Sequence, residues 1–435
     1  MSVKKIHLGW FLNFSAPQWT GPLDGSSAKT WTTGEFHTDI VKDLERGMFD
    51  FAMFEDSSMV SDVHNGSMEA DLKYSLYAPK GDPLPLMSKI AAQTKHIGLI
   101  ATASTSFYPP FITARMYATL DGITEGRIGW NVVTSSEDRA AQNFGHDKLF
   151  EHDNRYEMAD EYVEVVKKLW NSWEPDAIRM DHEHGIYADH TKVHPIDHDG
   201  KYYKVRGPLN VMPGPQREVA LCQAGGSPAG RDLAAKHANA IVTQVNGIAE
   251  MKAYRDDIRA RMEKFGRNPD DCKVLFVVVP VIDETDELAQ AKAAREAAPT
   301  DAKTEVALAH LSSLTNVDFG QFDLDGPVPD VSTNGHRTTL EGFLKKGDPG
   351  IKTLRDAANV GALNAVNFVG SPATVAAQMR DVMEEVGGDG FLISGPMSRA
   401  RVGGIVDGLV PALQNLGLVR TKYEHKTLKE NLLAF

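Results

Sequence analysis

The chain of 435 residues contains only two cysteines, and it lacks long hydrophobic runs and an excess of basic charge. Two isolated cysteines, Cys222 and Cys272, cannot form a thiolate zinc site and make a poor disulfide framework, so we expect both as small buried side chains. No apolar run approaches the about 18 residues that a membrane helix needs, and no signal-peptide pattern is present, so we expect a cytoplasmic protein. Lys and Arg number 46 against 59 Asp and Glu, and the net charge of −13 argues against nucleic acid or an anionic membrane as the partner.

Several motifs that identify common enzyme classes are also absent. No predicted strand is followed by the dinucleotide pattern G-x-G-x-x-G, and the chain has neither a P-loop nor a G-x-S-x-G nucleophile turn. One polar segment is rich in histidine, but the spacing fits no standard zinc ligand set, so we expect no metal site there. These histidines are His182, His184, His190, His194 and His198.

Short, nearly unbroken apolar runs alternate with amphipathic stretches along most of the chain. Such runs are typical of parallel strands that helices cover on both faces. Eight strand–helix pairs predict an α/β fold of the (β/α)8 TIM-barrel type with insertion segments, although an open doubly wound sheet has the same periodicity. The predicted strands are Ile6–Phe11, Phe51–Phe54, Ile97–Ala103, Ile128–Val133, Val219–Gln223, Ala240–Thr243, Val274–Ile282 and Gly390–Ser394.

Two segments interrupt this alternation within what we expect to be a single domain over residues 1–435. Residues 175–215 are rich in Gly, Pro, Asp and His and predict a hairpin-bearing insertion. Residues 300–361 begin like a helix and continue as a polar run, and loops of that length in compact enzymes are usually lids. We therefore expect a mobile lid over the barrel mouth. The mixed-charge tail Tyr423–Phe435 is expected to fray or to pack on a neighbouring chain.

Polar residues stand where several predicted strands end, which is where barrel active sites lie. Asp56 follows the second strand and Thr102 ends the third. Each has an alternative interpretation, as a helix cap or as part of a polar turn. Asn131 stands inside the apolar fourth strand, where an unpaired amide is costly, so we expect it at the barrel mouth.

Two further patterns favour an anion site. His152 and Tyr156 are four residues apart at the start of a predicted helix and share one face. Gly225-Gly226-Ser227-Pro228 follows a strand and combines a Ser N-cap with Pro at the first helical position. Free N–H groups at Ser227, Ala229 and Gly230, together with the helix dipole, would suit a phosphate, although many such helix starts bind nothing.

The runs Gly129–Ser135, His152–Tyr156 and Ala224–Ser227 resemble, in order and spacing, the signature runs of one family. This is the nitrilotriacetate monooxygenase family of the bacterial-luciferase-like superfamily, and the resemblance covers Lys4 to about Leu418. It implies a two-component monooxygenase that binds reduced FMN from a separate NAD(P)H:flavin oxidoreductase, and a homodimer or homotetramer. Reduced FMN and O2 would form a C4a-(hydro)peroxyflavin that oxygenates a small organic substrate. Asp56 and Thr102 would line the isoalloxazine site, and His152, Tyr156 and Ser227 would hold the phosphate.

The substrate is left open by this resemblance. Phe11, Asn13 and Asn131 are substrate-side candidates, with Leu12, Phe14 and Trp19 expected in the same wall. Arg and Lys are absent from Leu8 to Ala28, which favours an apolar or aromatic substrate. No residue is assigned as acid or base. Two alternatives remain, a deazaflavin-dependent oxidoreductase of the same superfamily and a flavin-binding protein without turnover. The Asn131 run and the long insertion favour the monooxygenase.

Overall fold

Eight parallel strands close into a barrel in the computed structural model, which describes residues 4–19, 29–344, 350–359 and 365–435. Each strand pairs with its neighbours in chain order, and the first also pairs with the last, His7 opposite Gly390. This pairing confirms the predicted (β/α)8 barrel and excludes the open doubly wound sheet. The strands are β1 His7–Asn13, β2 Phe51–Glu55, β3 Gly98–Ser104, β4 Ile128–Val133, β5 Ala220–Gln223, β6 Ala240–Thr243, β7 Lys273–Val278 and β8 Gly390–Ile393.

Most of the helices follow the strands and cover the outside of the barrel. Alternate strand residues point outward against them, so large apolar side chains such as Trp10 and Trp130 are fully buried between the two layers. The helices are α1 Glu35–Arg46, α2 Glu69–Tyr74, α3 Pro83–Ala91, α4 Pro110–Ile123, α5 Asp138–Asn143, α6 His152–Trp170, α7 Pro228–His237, α8 Ile248–Lys264, α9 Asp286–Ala297, α10 Asp301–Thr315, α11 Arg337–Leu344, α12 Leu354–Asn359, α13 Pro372–Val386, α14 Arg399–Gly403, α15 Val410–Asn415 and α16 Leu428–Leu432.

Two segments extend outside the barrel, and they fall within the two interrupting segments predicted from the sequence. Between α6 and β5, Ile178–Asp181 pairs with Ile186–Ala188 and His198–Asp199 pairs with Lys204–Val205, each pair antiparallel. Between α9 and α13 the chain forms α10, α11 and α12, which bury an apolar cluster of their own. We call residues 300–361 the insertion; its residues 345–349 and 360–361 lie outside the described part of the chain.

The expectation for the C-terminal tail is wrong. Leu428 and Leu432 of α16 belong to the apolar cluster inside the barrel, and the ring of Phe435 stacks on His7 with centroids 4.3 Å apart. A Cβ at Gly98 or Gly129 would overlap the Leu428 side chain, so these glycines make room for it. The tail therefore closes the N-terminal end of the barrel, because two leucines four apart give a short apolar face among charged neighbours.

The seventh strand is shorter than predicted. It ends at Val278, and Val281–Ile282 forms a separate short strand with Val369–Gly370. Pro280 stands between the two and has no N–H for a sheet ladder. Both cysteines are buried and unpaired, as expected. Within the described ranges, no helix is long and apolar enough to cross a bilayer.

Candidate active site

Thr102 and Asn131 lie opposite each other on β3 and β4, inside the barrel near its mouth. The Asn131 amide donates from Nδ2 to Thr102 Oγ1 over 2.9 Å, and Thr102 Oγ1 donates to the Phe54 carbonyl over 2.7 Å. Asn131 Oδ1 is buried and has no hydrogen-bond partner within the described residues. A buried acceptor without a partner is costly, so this oxygen is available to an N–H or O–H of a ligand.

Asp56 lies at the mouth where the chain leaves β2. Burial raises the pKa of Asp56 to about 7, the carboxylates of Glu55 and Asp82 act in the same direction, and Lys80 opposes them. The carboxyl is therefore close to half protonated at neutral pH. It can donate or accept a hydrogen bond there.

Lys80 is a buried cation at the same strand exit that sequence reasoning missed. Its side chain is 4% exposed, and Nζ lies 2.7 Å from Glu55 Oε1 and 2.9 Å from Ser57 Oγ. It stands in the loop before α3, where no periodic pattern marks a residue as buried. The lack of basic residues in the N-terminal segment therefore does not describe the whole mouth.

His310 comes to this region from α10 of the insertion and was also missed. The Tyr77 hydroxyl lies 3.0 Å from His310 Nδ1, and the two rings stack with centroids 5.3 Å apart. Desolvation by the groups packed around its ring lowers the pKa of His310, although part of the side chain is exposed, so the imidazole is neutral at pH 7. A histidine inside the apolar run Val306–Leu314 was the available signal.

The residues predicted for a substrate-side wall at the exit of β1 do not all face the barrel interior. Phe11 packs against the barrel interior, and Asn13 Oδ1 accepts a hydrogen bond from Ser15 over 2.8 Å. Leu12 points outward into the layer between strands and helices. Because side chains alternate along a strand, four consecutive residues cannot all face the interior. Two further members lie elsewhere, since Phe14 packs on Trp31 and His37 and the Trp19 side chain is 48% exposed.

The predicted phosphate residues come together where α6 and α7 begin. α6 starts at His152, whose ring lies 5.0 Å from that of Tyr156. His152 Nδ1 is 2.7 Å from Asp153 Oδ1. A Cβ placed on Gly230 would lie 3.1 Å from the Tyr156 hydroxyl, so the first turns of the two helices are adjacent.

Ser227 is the N-cap of α7, as predicted, with Pro228 at the first helical position. Its Oγ accepts the Gly230 N–H over 3.2 Å, so that N–H is not free, contrary to the expectation. The Ser227 hydroxyl hydrogen and the Ala229 N–H, in the first turn, remain for an anion. Two positive helix ends therefore meet at this point.

The insertion lies over the residues at the starts of α6 and α7. A Cβ on Gly226 would lie 2.7 Å from Thr338 Cγ2 of α11. Asn334 Oδ1 accepts the His152 N–H over 2.8 Å, and Asn334 Nδ2 donates to the Phe150 carbonyl over 3.1 Å. The insertion thus contacts the starts of α6 and α7 through Asn334 and Thr338, and it contacts the barrel mouth through His310.

The described residues contain no group of three or more His, Cys, Asp or Glu side chains placed to hold a metal ion. Several histidines of the polar segment instead have one carboxylate partner each. These pairs are His184 with Asp181 at 2.9 Å, His194 with Glu174 at 2.7 Å and His198 with Glu161 at 3.1 Å.

Comparison with known proteins gives consistent relatives over the whole chain. Residues 6–390 match the family model of luciferase-like monooxygenases. A dimethyl-sulfide monooxygenase of Hyphomicrobium sulfonivorans is 37% identical over 97% of this chain and 87% of its own length. Nitrilotriacetate monooxygenase component A of Aminobacter aminovorans is 36% identical, covering 99% of this chain and 96% of its own. The crystal structure of a riboflavin lyase with modified FMN and riboflavin gives a TM-score of 0.90 at 30% identity, covering 99% and 96%.

Proposed function

We propose, since this chain belongs to the luciferase-like monooxygenase family, that it uses reduced FMN and O2 to oxygenate a small organic substrate. A separate NAD(P)H:flavin oxidoreductase would supply the reduced FMN. The observation that carries this proposal is the meeting of the α6 and α7 N-termini at Ser227, where the barrel also opens. Helix N-termini bind phosphate, and FMN carries a phosphate at one end of a long polar molecule.

The residues present fit FMN at both of its ends. The unpartnered Asn131 Oδ1 and the half-protonated Asp56 suit the polar edge of an isoalloxazine ring, which has both N–H donors and acceptors. His152, Tyr156 and Ser227 would hold the phosphate. Bound reduced FMN would supply the electrons that activate O2 and the route by which one oxygen atom reaches the substrate.

The protein itself orients the ring, binds the phosphate and keeps water from the reacting atoms. Thr102 fixes the Asn131 amide, so its free oxygen keeps one direction. The insertion covers the phosphate residues and brings the neutral His310 to the mouth. We propose that this insertion acts as a lid, and that its closure keeps the bound flavin and the reacting oxygen away from bulk water.

The substrate we propose is apolar or aromatic. Phe11 packs on the barrel interior, and the buried Lys80 is already paired with Glu55. A polyanionic substrate would have to compete with Glu55 for this cation, and separating a buried ion pair is costly. The relatives are named for dimethyl sulfide and for nitrilotriacetate, so family membership leaves the substrate open.

Replacing Ser227 tests the phosphate site. Loss of a hydrogen bond to a charged group costs roughly 1.5–3 kcal/mol, so Ser227→Ala should weaken reduced-FMN affinity about ten- to a hundredfold. Affinity for riboflavin, which lacks the phosphate, should barely change. Anaerobic fluorescence titration measures both affinities. A deazaflavin titrated in the same assay shows whether the protein prefers FMN or this alternative cofactor.

Ser371→Ala is the matched control. Ser371 also caps a helix before a proline, and its side chain accepts the Thr374 N–H. Both variants lose an N-cap of about 1 kcal/mol in stability, but only Ser227→Ala should lose FMN affinity. Equal weakening of FMN and riboflavin by Ser227→Ala would contradict the assignment.

A further inference from the structure

Three helices, α6, α7 and α11, bring positive charge to the proposed phosphate end of the site. Arg155 of α6 is 2% exposed and donates from Nη1 to the Phe150 carbonyl and from Nη2 to the Asn334 carbonyl, over 2.7 and 2.9 Å. Its Nε is buried without a partner within the described residues. Burial lowers the pKa of Arg155, and Tyr156, Glu137 and Asp138 oppose this effect. The charge of Arg337 acts in the same direction as burial, so the two guanidinium groups repel each other.

Arg337 is the first residue of α11 and reaches toward the start of α6. Its Nη1 lies 4.0 Å from Asp153 Oδ1, and the two side chains are 45% and 80% exposed. An ion pair with that geometry and exposure contributes little stability. The next residue, Thr338, lies against Gly226, so Arg337 stands between the α6 start and the glycine loop before α7.

Three carboxylates face this charge, those of Asp153, Glu137 and Asp138, and the last two act to raise the pKa of Arg155. Asp153 is mostly exposed, and it also accepts from His152. The buried Glu137 carboxylate is occupied by the Ser136 N–H and hydroxyl, at 3.1 and 2.6 Å. Two guanidinium groups and two helix N-termini therefore meet here, and neither guanidinium makes an ion pair shorter than 4.0 Å with these three carboxylates. An anion bound there would relieve the repulsion.

Resting on the proposed function, we propose that Arg337 is a further ligand of the FMN phosphate. Its guanidinium would exchange the weak pair with Asp153 for a charge-assisted hydrogen bond to a phosphate oxygen. The insertion then contacts the cofactor directly through this side chain. Phosphate binding and the position of the insertion become coupled, so a flavin without phosphate holds the insertion less well.

The test compares Arg337→Gln with Arg355→Gln. Arg355 lies on the same insertion with 36% exposure, and its Nε pairs with Asp325 at 2.7 Å, so it controls for effects on the insertion's fold. Anaerobic titrations of reduced FMN and reduced riboflavin give the phosphate preference of each protein. Arg337→Gln should weaken FMN binding about five- to twentyfold and leave riboflavin binding unchanged, and added salt should shrink this difference. Arg355→Gln should leave both affinities unchanged.

The outcomes separate this inference from the function on which it rests. If the native protein binds reduced FMN no more tightly than riboflavin, the phosphate site and the proposed function fail. If the native protein prefers FMN and Arg337→Gln keeps that preference, the role of Arg337 is overturned. Equal weakening of both flavins by Arg337→Gln, or the same loss of preference in Arg355→Gln, also overturns it, because the effect then belongs to the fold of the insertion.

Discussion

The Asp56 carboxyl makes the stability of the protein depend on pH near neutrality. Its pKa rises from 3.8 to about 7 in the folded state, so between these values the folded protein holds a proton that the unfolded chain has lost. The free energy of unfolding therefore falls as pH rises from about 4 to about 7. At pH 8, urea unfolding should give Asp56→Asn a free energy of unfolding about 1–3 kcal/mol larger than that of the native protein. This difference should shrink toward pH 5. A gap that stays constant from pH 5 to 8 would mean that Asp56 does not titrate in this range.

Single residues differ in how far the sequence reveals them. Thr102 was singled out because it stands at the end of a predicted strand, and Asn131 because a polar side chain in an apolar strand needs a partner. The structure joins the two by a hydrogen bond. Lys80 and Arg337 were not predicted. Both stand outside the strand–helix alternation, one in a loop and one at a helix start inside the insertion. Their places depend on how distant segments meet, which periodicity does not report.

At the scale of elements, the eight strands were predictable because buried parallel strands are continuous apolar runs. Their ends were less so: β1 runs to Asn13 rather than Phe11, and β7 stops before Pro280. The start of α6 near His152 was predicted, together with the shared face of His152 and Tyr156. The partners of α10 and α11 could not be predicted, since a polar, Gly- and Pro-rich segment does not specify where it docks.

The attachment of the insertion to α6 gives a prediction at this scale. Asn334 makes two side-chain hydrogen bonds to the start of α6, to the His152 N–H and the Phe150 carbonyl. Asn334→Ala should loosen the insertion, and a larger share of the NADH consumed in a reductase-coupled assay should appear as hydrogen peroxide, about two- to fivefold more for a loss of roughly 0.5–1 kcal/mol.

Asn171→Ala is the control for that experiment. Its amide donates to the Lys167 carbonyl and to Glu218 at the opposite end of α6. It should leave the peroxide yield unchanged. An unchanged yield in Asn334→Ala would argue that the insertion does not act as a lid.

For the whole molecule, the barrel depends on α16 for a closed interior. Leu428 is 1% exposed and fills the N-terminal end of the barrel beside Gly98 and Gly129. Leu428→Ala should lower the free energy of unfolding by about 2–5 kcal/mol, because the cavity left there cannot collapse between two strands. Leu433→Ala, at a side chain 38% exposed, should cost less than about 1 kcal/mol. Urea unfolding of both variants measures the difference, and equal effects would show that α16 is not part of the cooperative barrel.

The packing of the C-terminal tail on the N-terminal end of the barrel decides where a protein fused to the C-terminus would lie. Phe435 stacks on His7, the first residue of β1, so any polypeptide joined after Phe435 emerges at the end of the barrel opposite the insertion. A flavin reductase joined there would release its product on the far side of the molecule, and each flavin would have to diffuse around the helix layer to the mouth. A genetic fusion through the C-terminus should therefore gain little from proximity over two separate proteins, whereas a tether anchored on an exposed side chain of the insertion would shorten that path.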